Sequence, residues 1–247
     1  MSLSVFFPLL LPLMASAQGL PAWIPPVETL KQLISSALGY GIMTGACILK
    51  VPQIKIILQN QSAAGLSVLS FELECIGLVV HWAYGYVMKL PFNSYGEALI
   101  VLTQTLLILG LVYSYGKHSA VRAIGYMTAL SGFVAAVLTG DLDKPSVIAA
   151  YSVNTFILIA ARVPQIWANL KNGGTGQLSF TTCFISTVGC VARVYTTIAA
   201  KAGDAMLRQF LIALLLNGTL VAQILVYGPG GRPKQPSKPA EKDKKQT

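Results

Sequence analysis

Charged residues are scarce in this chain of 247 residues. Only 11% of the residues are Asp, Glu, Lys or Arg, whereas 54% are hydrophobic. A soluble domain of average composition carries about 25% charged residues. The charges that are present cluster at the ends of long apolar runs, which is the pattern that membrane-spanning helices require. The composition therefore excludes an ordinary soluble domain and indicates a polytopic membrane protein.

Residues that carry out catalysis or bind metals are also few. The chain has two histidines, and its four cysteines lie in apolar segments without a CxxC pair. We find no nucleophile beside a base, no zinc-ligand spacing, no Walker-type loop and no dinucleotide fingerprint. We therefore expect no enzyme, no metal and no cofactor. We interpret the cysteines as small buried hydrophobes.

The net charge of +9 has a membrane explanation. Most of the basic excess lies in short loops and in the C-terminal tail. Basic residues at these places set the topology of a membrane protein and bind anionic lipid head groups. We therefore expect membrane lipids, and no nucleic acid, among the partners.

Seven apolar runs succeed one another along the chain, each near the ~20 residues that cross a bilayer core. A cytosolic C-terminus puts twelve Lys and Arg residues on the cytosolic side and five on the opposite side, with Arg193 inside a span. The positive-inside rule favours this orientation, which makes the N-terminus luminal. The approximate bounds of the runs are 33–49, 66–88, 98–115, 121–139, 147–161, 180–200 and 210–227.

Residues 1–30 form a hydrophobic N-terminal arm with two open interpretations. The run Val5–Met14, followed by small residues at positions 15–17, fits a signal-peptide core with a cleavage site but lacks a basic n-region. The alternative is an uncleaved arm that lies at the membrane interface and is interrupted by Pro8 and Pro12. Either interpretation fits an N-terminus outside the cytosol.

The last segment, residues 228–247, is rich in Pro, Lys and Gly and has few apolar residues to bury. We expect it to be a disordered, basic, cytosolic tail. Lys244 and Lys245 stand fourth and third from the C-terminus. Two lysines at these positions form a dilysine signal, which coat machinery reads to return membrane proteins to the endoplasmic reticulum. The signal predicts a multi-pass protein of the endoplasmic-reticulum membrane.

An internal repeat divides the apolar part of the chain. Lys50-Val-Pro-Gln-Ile54 is followed by Leu66-Ser67, and Arg162-Val-Pro-Gln-Ile166 is followed by Leu178-Ser179, at a constant offset of 112 residues. Each copy holds three spans, which predicts a first repeat at 31–116, a linker helix at 117–145 and a second repeat at 146–227. Because three spans are an odd number, the single linker helix makes the two copies parallel, as in some transporters with a site at the repeat interface.

The repeated Pro-Gln pairs, Pro52-Gln53 and Pro164-Gln165, are candidate hinges near the cytosolic rim. Proline lacks an amide hydrogen and clashes with the preceding turn, so it kinks or breaks a helix. A glutamine side chain supplies a donor for a carbonyl that is freed in this way. A static kink that only shapes the bundle is the alternative.

Charged residues inside the spans are candidate site residues, because a charge in hydrocarbon is costly and usually functional. Glu74 and His81 lie seven residues apart on one face of the second span. His81 and Arg193 are separated by 112 residues, so the repeat places them at equivalent positions across the pseudo-two-fold axis. Arg193 is the first candidate for a ligand contact, since a guanidinium holds a phosphate with two parallel hydrogen bonds. The alternative is an internal ion pair of Arg193 with Glu74.

Other polar side chains in the spans extend the predicted ligand-binding set. Glu97 and Gln104 share a face of the third span, while Asn154 and Asn217 lie in the fifth and seventh. These residues either line a cavity or join helices by hydrogen bonds. Glu72 lies close to a helix start, and we expect it at the membrane rim.

Several short motifs resemble the PQ-loop repeat membrane proteins, a family that includes the SWEET sugar carriers, the cystinosin group and the KDEL receptors. The resemblance covers about residues 39–227 and is strongest to the mannose-P-dolichol utilization defect branch of that family. The motifs are Phe92 with Gly96-Glu97-Ala98-Leu99, Gln104-Thr105, Asn172 with Thr175-Gly176-Gln177-Leu178-Ser179, Ala192-Arg193, Gly203-Asp204, and Asn217-Gly218 with Gln223.

This resemblance implies a protein that is required for the use of dolichyl-phosphate-mannose and dolichyl-phosphate-glucose in luminal glycosylation. The protein would translocate the lipid-linked sugar or present it to luminal glycosyltransferases. Arg193 would hold the phosphate, with Gln53, Gln165, Asn154 and Asn217 near the sugar. Two alternatives remain open: a carrier of a small soluble sugar or amino acid, as in the SWEET and cystinosin groups, with Glu74 as the titrating group, and a trafficking receptor.

Overall fold

The computed structural model describes residues 26–63, 66–116, 118–175 and 178–228. Within these ranges the chain is helical and contains no strand, and seven helical segments are long and apolar enough to cross a membrane. The predicted all-helical, seven-span fold is confirmed. The helices are α1 (Val27–Ala46), α2 (Val51–Asn60), α3 (Val68–Val87), α4 (Gly96–Tyr115), α5 (Ala120–Thr139), α6 (Lys144–Asn172), α7 (Phe180–Ala199) and α8 (Asp204–Tyr227), with a 3₁₀ turn at Phe92–Ser94.

Three predictions for the chain ends lie wholly or mainly outside the described residues. They concern the hydrophobic arm at residues 1–30, of which only the last five are described, the basic tail beyond Gly228, and the dilysine pair Lys244-Lys245.

The repeated Leu-Ser pair begins the second helix of each repeat. The Ser67 hydroxyl accepts a hydrogen bond from the amide of Ser70 at 3.3 Å, and the Ser179 hydroxyl accepts one from the amide of Thr182 at 3.4 Å. Serine is among the best helix caps because its oxygen satisfies an amide that has no partner in the first turn. The repeat in the sequence is therefore a repeat of local structure.

The two Pro-Gln pairs lie in different local structures. In the first repeat the span is broken: α1 ends at Ala46, residues 47–50 form turns, and Pro52 lies in the first turn of α2. Proline is tolerated there because the first amides of a helix lack partners in any case. In the second repeat α6 passes through Pro164 without a break and ends at Asn172 before Gly173. The expected break is present at Pro52 and absent at Pro164.

The helices of the two repeats pack in a symmetric arrangement. In each repeat the third helix packs against the other two, α4 in the first repeat and α8 in the second. The first helix of each repeat packs against the second helix of the other repeat, α1 against α7 and α6 against α3. Exchange of the two repeats leaves this pattern unchanged, as a pseudo-two-fold axis requires. The linker α5 packs on the outside of α3.

We call the end of the bundle where α2 and α3 begin the PQ end, and the end with the Phe92–Ser94 turn the turn end. Among the described residues, the hydrogen bonds and ion pairs between the two repeats begin halfway along α3, where the Asn154 amide donates to the Gly77 carbonyl at 3.3 Å. The others lie towards the turn end, as far as the Tyr195 hydroxyl on the Lys31 carbonyl. Polar contacts therefore join the two repeats in the turn-end half only.

Candidate functional site

Three charged or titratable side chains from three helices meet at the interface of the repeats. Arg193 of α7 is 6% exposed, and its Nη2 contacts Oε1 of Glu97 at the start of α4. The same Glu97 oxygen lies 3.8 Å from Nε2 of His81 on α3. His81 and Arg193, which the repeat relates by sequence, therefore share one carboxylate. We call these three residues the buried cluster.

Neighbouring groups hold the buried cluster in position. Arg193 Nη1 donates to the Ser94 carbonyl at 3.2 Å and, more weakly, to the Asn93 carbonyl at 3.5 Å. The Tyr151 hydroxyl lies 3.1 Å from Nδ1 of His81 and fixes the orientation of the imidazole. These contacts come from the backbone of the turn and from α6, so each repeat helps to hold residues of the other.

The buried cluster is incompletely hydrogen-bonded. Nε2 of His81, Oε2 of Glu97 and Nη2 of Arg193 are buried and make no aligned hydrogen bond with the residues that the structure describes. A buried polar atom without a partner costs about 1–3 kcal/mol. Three such atoms side by side form a site that a polar ligand would stabilise by supplying the missing partners.

A cavity of about 510 Å³ adjoins the buried cluster and extends towards the PQ end. Its volume lies within the range of roughly 300–1,000 Å³ that is typical of small-molecule sites. The exposed residues at its rim are Ser70, Leu73 and Ala161. We call this space the PQ-end cavity, and its polar lining residues are Ser70, Glu74, His81, Glu97, Asn154 and Gln209.

Close helix contact brings Asn154 into this cavity. A Cβ atom at Gly77 would lie 2.9 Å from Oδ1 of Asn154, so only glycine lets α3 and α6 approach this closely. The predicted residues Glu74, His81 and Asn154 therefore line one cavity, and Arg193 lies behind it, in contact with Glu97.

Glu74 does not pair with Arg193. It forms an ion pair with Lys50 at 2.7 Å, at the PQ end of the cavity. The interpretation of an internal Glu74–Arg193 lock is wrong, because Glu74 lies two helical turns from His81 on α3, at the other end of the cavity. Glu97, which the sequence analysis named only as a cavity or joining residue, neutralises Arg193.

Two predicted ligand residues lie outside the PQ-end cavity. Gln104 donates to the Ala46 carbonyl at 2.8 Å and accepts from the Lys50 amide at 2.8 Å, so it closes the break between α1 and α2. Asn217 donates to the Ala213 carbonyl of its own helix at 2.8 Å. Gln104 therefore joins helices, and Asn217 binds within the second repeat.

The glutamines of the Pro-Gln pairs do not satisfy freed carbonyls. Neither Gln53 nor Gln165 makes a hydrogen bond with a described residue. Gln104 provides this donor in the first repeat, and in the second Gln223 donates to the Ile166 carbonyl at 3.0 Å. Both donors come from the third helix of the repeat. A hinge role of Pro52 and Pro164 stays a prediction.

Glu72 is buried rather than exposed at the rim. It is 6% exposed and binds Arg122 of the linker helix through two hydrogen bonds of 3.1 and 2.6 Å, while the Tyr113 hydroxyl also contacts it. The Tyr126 hydroxyl donates to the Glu72 carbonyl at 2.8 Å. The expectation was wrong because α5 covers this part of α3, and the contacts fasten the linker to the first repeat.

The repeat offset could have identified two of the missed cavity residues. Glu97 and Gln209 are 112 residues apart and both line the PQ-end cavity. The sequence analysis applied the offset to His81 and Arg193 but not to this pair. Tyr151 gave no such signal, since its counterpart is Gly39. In the described part of the chain, no group of three or more His, Cys, Asp or Glu residues is placed to hold a metal ion.

Comparison with known proteins gives two matches. The model of the PQ loop repeat matches residues 34–94 and 148–205, which include His81 and Arg193. Solute carrier family 66 member 3 of Homo sapiens is 30% identical over 186 residues, which cover 74% of this chain and 89% of that protein.

Proposed function

This chain belongs to the PQ-loop repeat family, and from that premise we propose that it carries the head group of dolichyl-phosphate-linked mannose and glucose across the endoplasmic-reticulum membrane. Its relationship to a solute carrier points to membrane transport rather than to an enzyme. The lipid-linked substrate follows from the resemblance of the short motifs, and the buried cluster beside the PQ-end cavity is the observation that carries the proposal.

The substrate poses a defined physical problem. A sugar and one negative charge must pass through hydrocarbon, while the polyprenyl chain can remain in lipid. A charge at the bilayer centre is costly unless the protein supplies a partner. Arg193 supplies that partner, because guanidinium binds phosphate oxygens bidentately and is charged at any physiological pH.

Binding of the phosphate requires an exchange of partners. Arg193 is neutralised by Glu97, and Lys50 by Glu74, so the fixed charges of these two pairs cancel. A phosphate that takes Arg193 displaces the carboxylate of Glu97. A buried carboxylate without a partner is strongly unfavourable, and His81 Nε2, at 3.8 Å, is the nearest group that can receive it.

The rest of the PQ-end cavity suits a sugar with a lipid tail. Asn154 and Gln209 offer amide donors and acceptors to sugar hydroxyls. The exposed rim includes the apolar residues Leu73 and Ala161, past which a polyprenyl chain can leave the cavity into lipid. Presentation of the lipid to luminal glycosyltransferases would use the same head-group site.

A carrier of a small soluble solute is the second candidate. The name of the human relative and a cavity of about 510 Å³ favour it. Such a carrier needs no apolar rim and no endoplasmic-reticulum location. A steady plasma-membrane or lysosomal location would favour this candidate, and a steady endoplasmic-reticulum location the first.

The test is the dolichol-linked oligosaccharide profile of cells that lack this protein, with variants added back at matched levels. We expect truncated, mannose-poor species in the null cells, which the unaltered protein clears and Arg193→Ala does not. Lys171→Ala is the matched control, because Lys171 is an exposed cation in the last turn of α6. We expect it to restore the profile fully.

Arg193→Lys separates phosphate binding from a loss of folding. Lysine retains the positive charge opposite Glu97 but cannot form the bidentate contact. We expect it to accumulate like the unaltered protein and to clear the truncated species only partly. A normal profile in the null cells would refute the lipid-donor function and make the soluble carrier the leading hypothesis.

A further inference from the structure

A second cavity, of about 390 Å³, lies at the turn end of the bundle. We call it the turn-end cavity. Its charged lining residues are Lys201, Asp204 and Arg208, which leaves one net positive charge. All three are exposed, and none forms an ion pair within the described residues. The cavity therefore offers two uncompensated cations to an anionic group.

The same three helices line both cavities. On α3, His81 lines the PQ-end cavity and Met88 the turn-end cavity, with Tyr84 between them. Tyr84 is three residues beyond His81, about 4.5 Å along the axis at a rise of about 1.5 Å per residue. On α3 the two cavities are thus separated by about one helical turn.

The other two helices repeat this register. On α6, Tyr151 lies midway between Asn154 of the PQ-end cavity and Ile148 of the turn-end cavity. On α8, Met206 lies between Gln209 of the first cavity and Ala205 of the second. Each helix therefore contributes one residue to a single layer between the cavities.

That layer is tightly packed. Tyr84 is 2% exposed, and Tyr151 and Met206 are 0% exposed. The centroids of the two tyrosine rings lie 4.4 Å apart. Each hydroxyl is bound on its own side of the layer: Tyr151 to His81 at 3.1 Å, and Tyr84 to the Ala202 carbonyl at 2.9 Å. No other side chain is needed to separate the two spaces along these three helices.

We propose that the two cavities are the ends of one passage between α3, α6 and α8, and that Tyr84, Tyr151 and Met206 are its gate. The turn-end cavity is then a second binding position for a phosphate-bearing head group, with Lys201 and Arg208 as its cations. The inference rests on the proposed transport function and adds the route, the gate and the far-side subsite. The passage follows one side of the interface, so the two repeats do not contribute equally to it.

Gly203 connects the gate to the loop before α8. Its φ of +89° is a conformation that L side chains rarely adopt, and a Cβ atom there would lie 2.8 Å from the Tyr84 hydroxyl. The loop thus touches the gate directly, next to the carbonyl that Tyr84 binds. A change in this loop, for example when a head group binds Lys201, changes the seat of Tyr84.

The route is tested by the side from which single cysteines react with a membrane-impermeant thiol reagent. The background lacks Cys47 and Cys190, the two native cysteines that are not buried. Leu158→Cys reports on the PQ-end cavity and Ile148→Cys on the turn-end cavity. In sealed microsomes we expect the reagent to reach Leu158→Cys from one side only and Ile148→Cys only after the membrane is opened, or the reverse.

The gate is tested in the same assay. Met206→Ala and Tyr151→Ala should raise labelling of Leu158→Cys from the turn-end side by about tenfold or more, because each shifts the gate towards its open population. Tyr84→Phe keeps the ring and loses only the bond to Ala202, so its increase should be smaller. Unchanged labelling of Leu158→Cys from the PQ side shows that a variant is folded.

Two results would overturn the inference. One is labelling of both cysteines from the same side. The other is a folded Met206→Ala protein, as judged by PQ-side labelling, whose turn-end labelling equals that of the unaltered gate. The oligosaccharide profile decides the substrate and the labelling decides the route, so a failure of the lipid-donor function leaves this result interpretable.

The far-side subsite has its own measurement. Head-group binding should slow labelling of Ile148→Cys, and mannose 1-phosphate is the soluble probe. Lys201→Gln combined with Arg208→Gln should abolish this protection. Protection by mannose as well as by mannose 1-phosphate would contradict a phosphate site and indicate a sugar site instead. Protection by dolichyl-phosphate-mannose alone would indicate that the subsite needs the lipid.

Discussion

The two repeats share one backbone plan and differ in where their charges are. Equivalent positions hold His81 and Arg193, and Glu97 and Gln209. The carboxylate of the buried cluster therefore comes from the first repeat and the guanidinium from the second. The ion pair forms only across the interface, although the helices around it are related by symmetry. In this protein the symmetry of the repeats specifies the scaffold, and the departures from symmetry specify the site.

The PQ end shows the same division. Lys50 pairs with Glu74 in the first repeat. The equivalent residues of the second repeat are Arg162 and Ser186, and Arg162 forms no ion pair with a described residue. The broken span and its neutralised cation belong to one repeat, the continuous helix and its uncompensated cation to the other.

Breaking the cross-repeat ion pair should have the largest effect. Glu97→Gln or Arg193→Gln leaves one buried charge without its partner, which costs about 3–5 kcal/mol of folding free energy. The double variant removes both charges and should be more stable than either single variant. A double-mutant cycle of thermal unfolding in detergent measures this. Additive losses in the double variant would mean that the two residues do not act as a pair.

Gln104→Leu should convert the first repeat towards the second, because leucine occupies the equivalent position, Leu216. The Ala46 carbonyl and the Lys50 amide then lose their partner, which costs about 1–3 kcal/mol. Hydrogen exchange should accelerate at residues 47–50 and remain unchanged in α6. Gln223→Leu is the matched change in the second repeat, with the exchange expected near Ile166. Equal effects of both variants on both repeats would argue against this local role.

Ser186→Glu tests the unequal charge at the PQ end. A carboxylate at this position would give Arg162 the kind of partner that Glu74 gives Lys50. Lys50 and Glu74 are partly exposed, so we expect a gain of no more than about 1 kcal/mol. Thermal unfolding at low and high salt measures it, since an ion pair near the surface weakens with salt. A loss of stability would show that Arg162 already has an anionic partner in the membrane.

The helix caps should respond alike in both repeats. Ser67→Ala and Ser179→Ala each remove one side-chain cap, at a cost of about 1 kcal/mol. Because the two caps have the same geometry, the two losses should agree within the error of a chemical-denaturation experiment. A clear difference would locate an additional role in the loop of one repeat.

The first helices of the repeats should differ slightly in acid. The side-chain and backbone hydrogen bonds of Ser146 lower the pKa of Asp143, which caps α6, whereas α1 begins after Pro26 without a side-chain cap. A lowered pKa means that this cap stabilises above the unfolded value of about 3.9 and is lost as the pH falls through the folded value. Hydrogen exchange at residues 144–147, corrected for intrinsic rates, should therefore rise in acid, and Asp143→Asn should remove that dependence.

The spans were predictable from the sequence because apolar length reports directly on the bilayer. The bounds were less so: α6 continues to Asn172, beyond the predicted 161, because a continuous helix accommodates Pro164. The repeat offset identified His81 and Arg193 as equivalent residues. It gave no information on how α4 is rotated and how deep it lies, which decides that Glu97 rather than Glu74 meets Arg193.

Tertiary covering accounts for the other differences. Position in the helix suggested exposure of Glu72, but α5 lies over it and supplies Arg122. Cys47, expected to be buried, is exposed because it lies where α1 ends. Such contacts join residues of different helices, and the periodicity of one helix carries no signal of them.

The placement of Glu97 and Arg193 in different repeats also governs self-association. A homodimer of the first repeat would bring two carboxylates and two imidazoles to its interface without a guanidinium. A homodimer of the second repeat would bring two guanidinium groups without a carboxylate. Neither repeat can therefore replace the other, and the molecule behaves as an obligate heterodimer whose two subunits share one chain.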